Sequence, residues 1–192
     1  MRNFSKMENT YKNNKSFKAI NKKGSPLLIE WISTPIGKML AVCDENYLYM
    51  LEFSDRKNVQ NGFDRLYKKY NRHIILGRTS ITKRIEKELK LYFAKSLKEF
   101  TTPFLFTGTK YQKKIWFNLT KIPSGETRSY SELAADIGNE KASRAVANSN
   151  AKNILALIIP CHRVIMQSGL IGGYSGGAER KKWLLNHERL LL

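Results

Sequence analysis

The sequence predicts an α/β (α+β) fold in which a small domain of strands and helix precedes a mainly helical domain. Short apolar runs separated by turn residues fill positions 26–53, as in β-strands. From Ser80 onward, apolar residues recur every three or four positions, which is typical of amphipathic helices. Two short helical patterns around Gly138 form a helix-turn-helix, and an apolar run after them predicts one short strand.

The N-terminal strands are predicted from three apolar runs. The runs at 28–32 and 39–43 are separated by TPIG, a turn signal, and DEN leads from the second run into YLYMLEF. HIILG, at 73–77, predicts a further strand. Cys43 lies inside the second run, so we expect a buried thiol that behaves as a small apolar side chain.

The domain boundary is predicted between two amphipathic helices. Ile81, Ile85 and Leu89 share one helical face, and the same spacing recurs over 111–119. The segment between them, EFTTPFLFTGT, contains Pro and Gly and has no period. We therefore predict three parts, which are a basic flexible extension at 1–24, an N-terminal α/β domain at 25–104 and a C-terminal domain at 105–192.

The helix-turn-helix pattern is predicted from its capping residues. Ser129 and Glu132 fit the S-x-x-E capping box at the start of the first helix. Gly138 suits the left-handed position that ends this helix, and Asn139 is expected to cap the next one. The pattern alone also fits a plain pair of core helices. Together with the net charge, DNA binding is the better interpretation.

The formal net charge of +18 comes from 34 Lys and Arg residues against 16 Asp and Glu residues. Such an excess favours nucleic acid or an anionic membrane as a partner, although a genome rich in lysine codons produces the same bias. We expect a cytoplasmic protein with no membrane partner, because there is neither a signal peptide nor an apolar stretch of ~18 residues. Cys43 and Cys161 lie far apart and no zinc-ligand spacing occurs, so we expect no metal.

The stretch IPCHRVI contains the candidate nucleophile. The apolar run at 154–159 predicts a buried strand, and Pro160 cannot extend a central ladder, so Cys161 follows where the chain leaves the core. A thiol reacts as the thiolate, and His162 beside it is a candidate base. In an extended chain adjacent side chains point to opposite faces, so the two groups need a turn or an intervening water.

Two further features lie downstream of the thiol. An imidazole base needs a group that fixes its tautomer, and Glu179 and Glu188 are the acidic candidates. In GGYSGG, four glycines surround Tyr174 and Ser175, which lets the backbone approach a flat ligand such as a base. A turn-rich surface loop would have the same composition. These residues alone leave Cys161 open as an inert core thiol or a nucleophile.

Four motifs together resemble the O6-alkylguanine-DNA alkyltransferases. They are SYSELA at 129–134, RAV seventeen positions before the cysteine, PCHRV and GGYSGG. The resemblance is strong over 108–188 and implies a small ribonuclease-H-like N-terminal domain. It also implies DNA repair without a cofactor, in which an alkyl group moves irreversibly from the O6 of guanine, and from the O4 of thymine, onto the protein. Each molecule reacts once.

The resemblance implies five catalytic residues. Cys161 is the nucleophile and alkyl acceptor, His162 is a base that acts through a water, and Glu188 orients the imidazole. Asn153 bridges parts of the active site by hydrogen bonds. Tyr130 assists base rotation and donates a proton to the leaving guanine.

The resemblance also implies how the protein binds its substrate, which is double-stranded DNA contacted by a monomer in the minor groove through the helix-turn-helix. Tyr174 and Ser175 line the guanine pocket. Arg144 fills the space that the flipped nucleotide leaves in the duplex. Ala147 is small enough for the helix to approach a narrow groove.

Two departures and two alternative functions accompany the resemblance. The family commonly has Asn-Pro where Ile154 follows Asn153, and the cysteines of a zinc site found in some members are absent. Proteins that bind alkylated DNA without transfer have the cysteine replaced, so Cys161 disfavours that reading. A Cys-His acyl-transfer enzyme would explain Cys161 and His162, but not the helix-turn-helix or the charge.

Overall fold

A computed structural model describes residues 24–97 and 99–189 of the chain. The predicted flexible extension at 1–24 therefore lies outside the described residues, with the exception of Gly24. None of the helices within the described ranges is both long and apolar enough to cross a membrane.

The first half contains a four-stranded sheet. Strands β1 (Leu27–Thr34), β2 (Gly37–Cys43) and β3 (Leu48–Phe53) form an antiparallel meander, and β4 (Ile74–Leu76) pairs in parallel with β1. The strand order is β3-β2-β1-β4. Gly37, the first residue of β2 after the turn from β1, has φ +127°, a backbone conformation that favours glycine. All four predicted strands are confirmed.

The two faces of the sheet pack against two different apolar clusters, so alternate residues along a strand belong to different clusters. In β2, Leu40 and Val42 pack in a cluster with Phe63, whereas Met39 and Cys43 belong to a larger core that includes the helices of the second half. Cys43 has no exposed surface, as predicted for a buried thiol. The larger core joins the sheet to the elements that carry the candidate site.

Two helices accompany the sheet. Helix α1 (Gln60–Tyr70) was not predicted, because only Phe63, Leu66 and Gly62 are buried on it. A Cβ atom at Gly62 would lie 2.9 Å from Met50 Cε, so glycine permits this close approach to the sheet. Helix α2 (Ser80–Phe93) confirms the predicted amphipathic helix and begins with a capping box.

The second half contains α3 (Lys110–Leu119), α4 (Tyr130–Asp136), α5 (Ser143–Ala151) and α6 (Ala178–Arg189). Helices α4 and α5 form the predicted helix-turn-helix. Two short parallel strands, β5 (Arg128–Ser129) and β6 (Val164–Ile165), join its start to the chain that follows Cys161.

The capping predictions for the helix-turn-helix are confirmed in part. The Ser129 side chain accepts from Glu132 N at 3.1 Å while Ser129 N donates to the Glu132 carboxylate, and Gly138 has φ +76°. The prediction that Asn139 caps α5 is wrong. A 3₁₀ turn at Glu140–Ala142 moves the start of α5 to Ser143, and the Asn139 side chain makes no capping hydrogen bond.

The prediction of a short active-site strand at 154–159 is wrong. This segment forms turns, with Leu157 at φ +70° and a single bridge from Leu155 to Leu51. Its backbone bonds instead to β3 through Leu51 N and O, at 2.9 and 2.7 Å from Ile154 O and Ala156 N. The whole segment is buried, as predicted, but an apolar run does not distinguish a buried strand from buried turns.

Candidate active site

A cavity of about 580 Å³ lies between α5, the start of α4 and the loop at 166–175. Six predicted site residues line it, namely Tyr130, Arg144, Ala147, Cys161, Tyr174 and Ser175. Gly172 and Gly173 of the predicted glycine-rich loop also line it, and four lining residues were not predicted as site residues, namely Ser143, Asn150, Ala151 and Met166. The fold therefore brings together residues from four separate motifs around one thiol.

Cys161 begins a 3₁₀ turn and is 5% exposed at the wall of the cavity. Its Sγ accepts a hydrogen bond from Asn153 Nδ2 at 3.1 Å. The same amide group donates to Ile159 O at 2.9 Å, and Asn153 Oδ1 accepts from Leu155 N at 2.8 Å. Burial raises the pKa of the Cys161 thiol to about 11, although the bond from Asn153 lowers it. A separate base is therefore needed to ionise the thiol at neutral pH.

His162 is the second residue of the same 3₁₀ turn and is fully buried. Its Nε2 is 2.9 Å from Glu188 Oε1. Burial lowers the pKa of His162, although Glu188 acts in the opposite direction, so the imidazole is neutral at pH 7. A carboxylate only accepts hydrogen bonds, so Nε2 carries the proton and Nδ1 has the free lone pair. Nδ1 has no hydrogen-bond partner among the residues that the structure describes, and its lone pair is available to take a proton.

Glu188 accepts hydrogen bonds from two further buried side chains that were not predicted. Arg163 donates to both carboxylate oxygens, with Nε 2.8 Å from Oε2 and Nη2 2.9 Å from Oε1. Tyr92 Oη donates to Oε1 at 2.8 Å. Burial alone would raise the pKa of Glu188, but His162 and Arg163 outweigh it and hold that pKa well below its usual range. Glu188 is therefore ionised, and it accepts a hydrogen bond from the imidazole of His162.

Two arginines of the first half hold the backbone beneath the thiol. Arg56 donates to Asn153 O and Ala151 O, both at 2.6 Å, and pairs with the buried Glu52 carboxylate. Burial raises the pKa of Glu52 to about 7 despite the opposing charge of Arg56. Arg65 donates to Lys152 O at 2.6 Å. These contacts fix the end of α5 and the Asn153 loop without a proline at the next position.

The glycine-rich loop is held against the site by a buried lysine. Lys181 Nζ donates to Val164 O at 2.5 Å and to Gly173 O at 3.2 Å, and burial lowers its pKa to about 8. Gly172 adopts φ +68°, which favours glycine. The hydroxyl of Tyr174 is buried and has no hydrogen-bond partner within residues 24–97 and 99–189.

The remaining predicted residues belong to the helix-turn-helix. Tyr130 is the first residue of α4, and burial together with the nearby Cys161 raises the pKa of its hydroxyl. Arg144 is exposed and Ala147 is half-buried, one turn apart on α5. Glu179, the other acidic candidate, is exposed in the first turn of α6.

Comparison with known proteins agrees with this arrangement. Residues 110–190 match the family model of the 6-O-methylguanine DNA methyltransferase DNA-binding domain. The methylated-DNA–protein-cysteine methyltransferase of Salmonella typhimurium is 38% identical over 169 residues, which are 86% of this chain and 98% of that protein. The chain belongs to the methylated-DNA–protein-cysteine methyltransferase family. These enzymes repair DNA by transferring an alkyl group to a cysteine, and the predicted resemblance is confirmed.

Solved methyltransferase structures share the mixed α/β architecture. Mycobacterium tuberculosis OGT in complex with DNA superposes with a TM-score of 0.75 at 34% identity, covering 85% of this chain and 93% of that one. The O6-methylguanine-DNA methyltransferase of Pyrococcus kodakaraensis superposes with a TM-score of 0.64 at 25% identity, covering 84% and 98%. Within the described residues, no group of three His, Cys, Asp or Glu side chains could hold a metal ion.

Proposed function

We propose that this methyltransferase transfers alkyl groups from the O6 of guanine, and from the O4 of thymine, in double-stranded DNA to Cys161. The observation that carries the proposal is the cavity-lining thiol of Cys161, bonded to Asn153 and backed by the His162–Glu188 pair. A cavity of this size accommodates a single base, so the target nucleotide must leave the duplex stack to react. The product is a stable thioether, so each molecule acts once.

The thiol is ionised through His162. The proton of Cys161 passes through a water to Nδ1, the nitrogen that the Glu188 contact leaves unprotonated. This route is the one expected for a base that acts through a water, although the local backbone geometry differs from the extended chain that was predicted. The thiol and imidazole lie in a 3₁₀ turn rather than an extended chain, and no direct hydrogen bond joins them among the described contacts.

The displacement then conserves atoms and electrons without a cofactor. A sulfur lone pair forms the bond to the alkyl carbon, the carbon–oxygen bond breaks, and its electron pair stays on the base. The Tyr130 hydroxyl, at the cavity wall, donates a proton to the leaving base, and the proton held by His162 restores it. The net change moves the thiol proton to the base. Tyr174 and Ser175 line the pocket that holds the base during this step.

DNA is bound through α5, which we place in the minor groove. Ala147 allows close approach of the helix, and Arg144, exposed beside the cavity mouth, enters the space left by the extruded nucleotide. A monomer is sufficient for this reaction, because one chain supplies all the side chains that the mechanism uses. The cytoplasm is the compartment that we propose for it. The sheet order β3-β2-β1-β4 supports the ribonuclease-H-like domain at 25–104, with the DNA-binding and alkyl-acceptor domain at 105–192.

The proposal is tested by incubating the protein with a duplex that contains O6-methylguanine and measuring the intact protein mass. We expect a gain of one methyl group, localised to Cys161 by peptide mapping and absent in Cys161→Ala. Cys43→Ala is the matched control, because its thiol is buried in β2 away from the cavity. A protein that binds the duplex but never gains the methyl group would overturn the proposal.

Substitution of Arg144 should separate base extrusion from chemistry. We expect Arg144→Ala to slow reaction with the O6-methylguanine duplex by about 10- to 100-fold, because extrusion costs a few kcal/mol. Reaction with free O6-benzylguanine needs no extrusion and should change little. Single-turnover rates on both substrates test this, with Arg128→Ala as the control. Equal slowing on both substrates would remove the extrusion role.

A further inference from the structure

Asn150 is a buried polar residue whose side chain makes no hydrogen bond within the described part of the chain. It lies in the last turn of α5, is 6% exposed, and lines the cavity. Neither Oδ1 nor Nδ2 has a hydrogen-bond partner among the described residues. Buried polar side chains are nearly always hydrogen-bonded, so a carboxamide with both ends unpaired indicates that a ligand supplies its partners.

The end of α5 is stabilised by hydrogen bonds that do not involve the Asn150 side chain. The backbone carbonyl of Asn150 accepts from Asn153 N at 3.0 Å, and Arg56 and Arg65 bind the carbonyls that follow. The preceding residue is satisfied as well, because Ser149 Oγ donates to Ala145 O at 2.8 Å. In contrast to Asn150, the nearby Asn153 carboxamide uses both of its ends within the protein.

The surroundings of Asn150 leave it as one of few polar side chains available to a bound base. Other polar side chains also line the cavity, but among the described residues only the Asn150 carboxamide and the Tyr174 hydroxyl combine a place in this wall with buried side-chain polar atoms that have no hydrogen-bond partner. A carboxamide presents two donors and one acceptor side by side. An O6-alkylguanine presents an amino donor beside ring-nitrogen acceptors, whereas an O4-alkylthymine presents acceptors only.

We propose that Asn150 is a substrate-binding residue that hydrogen-bonds to the edge of the extruded base and favours alkylguanine over alkylthymine. The carboxamide pairs with the 2-amino group and an adjacent ring nitrogen, as Asn pairs bidentately with adenine in other DNA complexes. With alkylthymine only the Nδ2 donor finds a partner. This inference rests on the proposed function and adds to it the residue that selects between the two bases.

The test compares Asn150→Leu, which has a similar size but no polar atoms, with Asn118→Leu, a control on α3 outside the cavity. Single-turnover rates are measured on duplexes with O6-methylguanine or O4-methylthymine and on free O6-benzylguanine. We expect Asn150→Leu to lower the rate on both guanine substrates by about 10- to 100-fold, the effect of losing one or two hydrogen bonds to a substrate. The loss on O4-methylthymine should be smaller.

A stability measurement separates substrate binding from a structural role. Because Asn150→Leu removes an unpaired buried polar group, its Tm should equal or exceed that of the wild type. A lowered Tm, or a rate equal to that of Asn118→Leu, would overturn the inference. Slowing on the duplex alone, or equal slowing on both alkylated bases, would also contradict it. If the wild type itself gains no methyl group, the proposed function fails instead.

Discussion

His162→Ala should lower the rate of alkyl transfer by about 10²- to 10⁴-fold, the usual contribution of a positioned general base. Burial places the pKa of the Cys161 thiol at about 11, so few molecules carry the thiolate at neutral pH without help. In the proposed mechanism the Nδ1 lone pair of His162, which has no partner among the described residues, accepts the thiol proton. Single-turnover measurement on an O6-methylguanine duplex checks this effect.

The pH profile gives an independent check on the same residue. The pKa of His162 is lowered, so the wild-type rate should hold through neutral pH and fall only below about pH 6.5, as the imidazole gains a proton. In His162→Ala the rate should instead climb with pH toward the thiol pKa of about 11. His73→Ala serves as the control and should keep the wild-type profile. An unchanged profile in His162→Ala would exclude the imidazole as the base.

Glu188→Gln should reduce the free energy of unfolding by about 3–5 kcal/mol, the range observed when one partner of a buried ion pair is removed. The Arg163 guanidinium would stay buried without a carboxylate, and the buried Tyr92 hydroxyl would lose its charged acceptor. Alkyl transfer should fall as well, because Glu188 no longer fixes the tautomer of His162. Denaturant unfolding measures the first effect and single-turnover kinetics the second.

A matched control for this substitution is Glu86→Gln. Glu86 pairs with Arg78 and Lys90 on an exposed face of α2, where ion pairs contribute about 0–1 kcal/mol. The contribution of Glu188 to the free energy of unfolding should depend on pH. Folding lowers the pKa of Glu188, so this contribution is complete above the unfolded-state pKa of about 4.3 and is lost as the pH falls through the lower folded-state pKa. Equal losses in the two variants would contradict the buried-pair argument.

Local signals in the sequence predicted the elements that carry their own caps and periods. The Ser129–Glu132 box and Gly138 define α4 through contacts within a few residues, and the apolar spacing from Ile81 defines α2. The same reasoning failed for 154–159, because a continuous apolar run records burial rather than backbone geometry. It missed α1 because that helix buries a narrow stripe containing a glycine.

The family motifs predicted the reacting groups, but the contacts that position them come from distant parts of the chain. Arg56 reaches Asn153 across 97 residues, and Tyr92 reaches Glu188 across 96. No periodicity or spacing links such pairs. Arg163 could have been suspected, since it follows His162 directly in PCHRV. Asn150 has no sequence signal beyond its polarity on a helix, and what reveals it is a buried carboxamide with no hydrogen-bond partner in the described part of the chain.

The contacts of Arg56 and Arg65 have a consequence for how the two halves of the chain can diverge. Both guanidiniums bind main-chain carbonyls, at Ala151, Lys152 and Asn153, and every residue type offers that acceptor. The junction therefore constrains substitution unequally, since these hydrogen bonds require the arginine side chains but place no demand on the side chain at 152. Chimaeras that join this first half to the second half of a relative should accordingly keep their interface, whereas the reverse exchange needs both arginines transplanted.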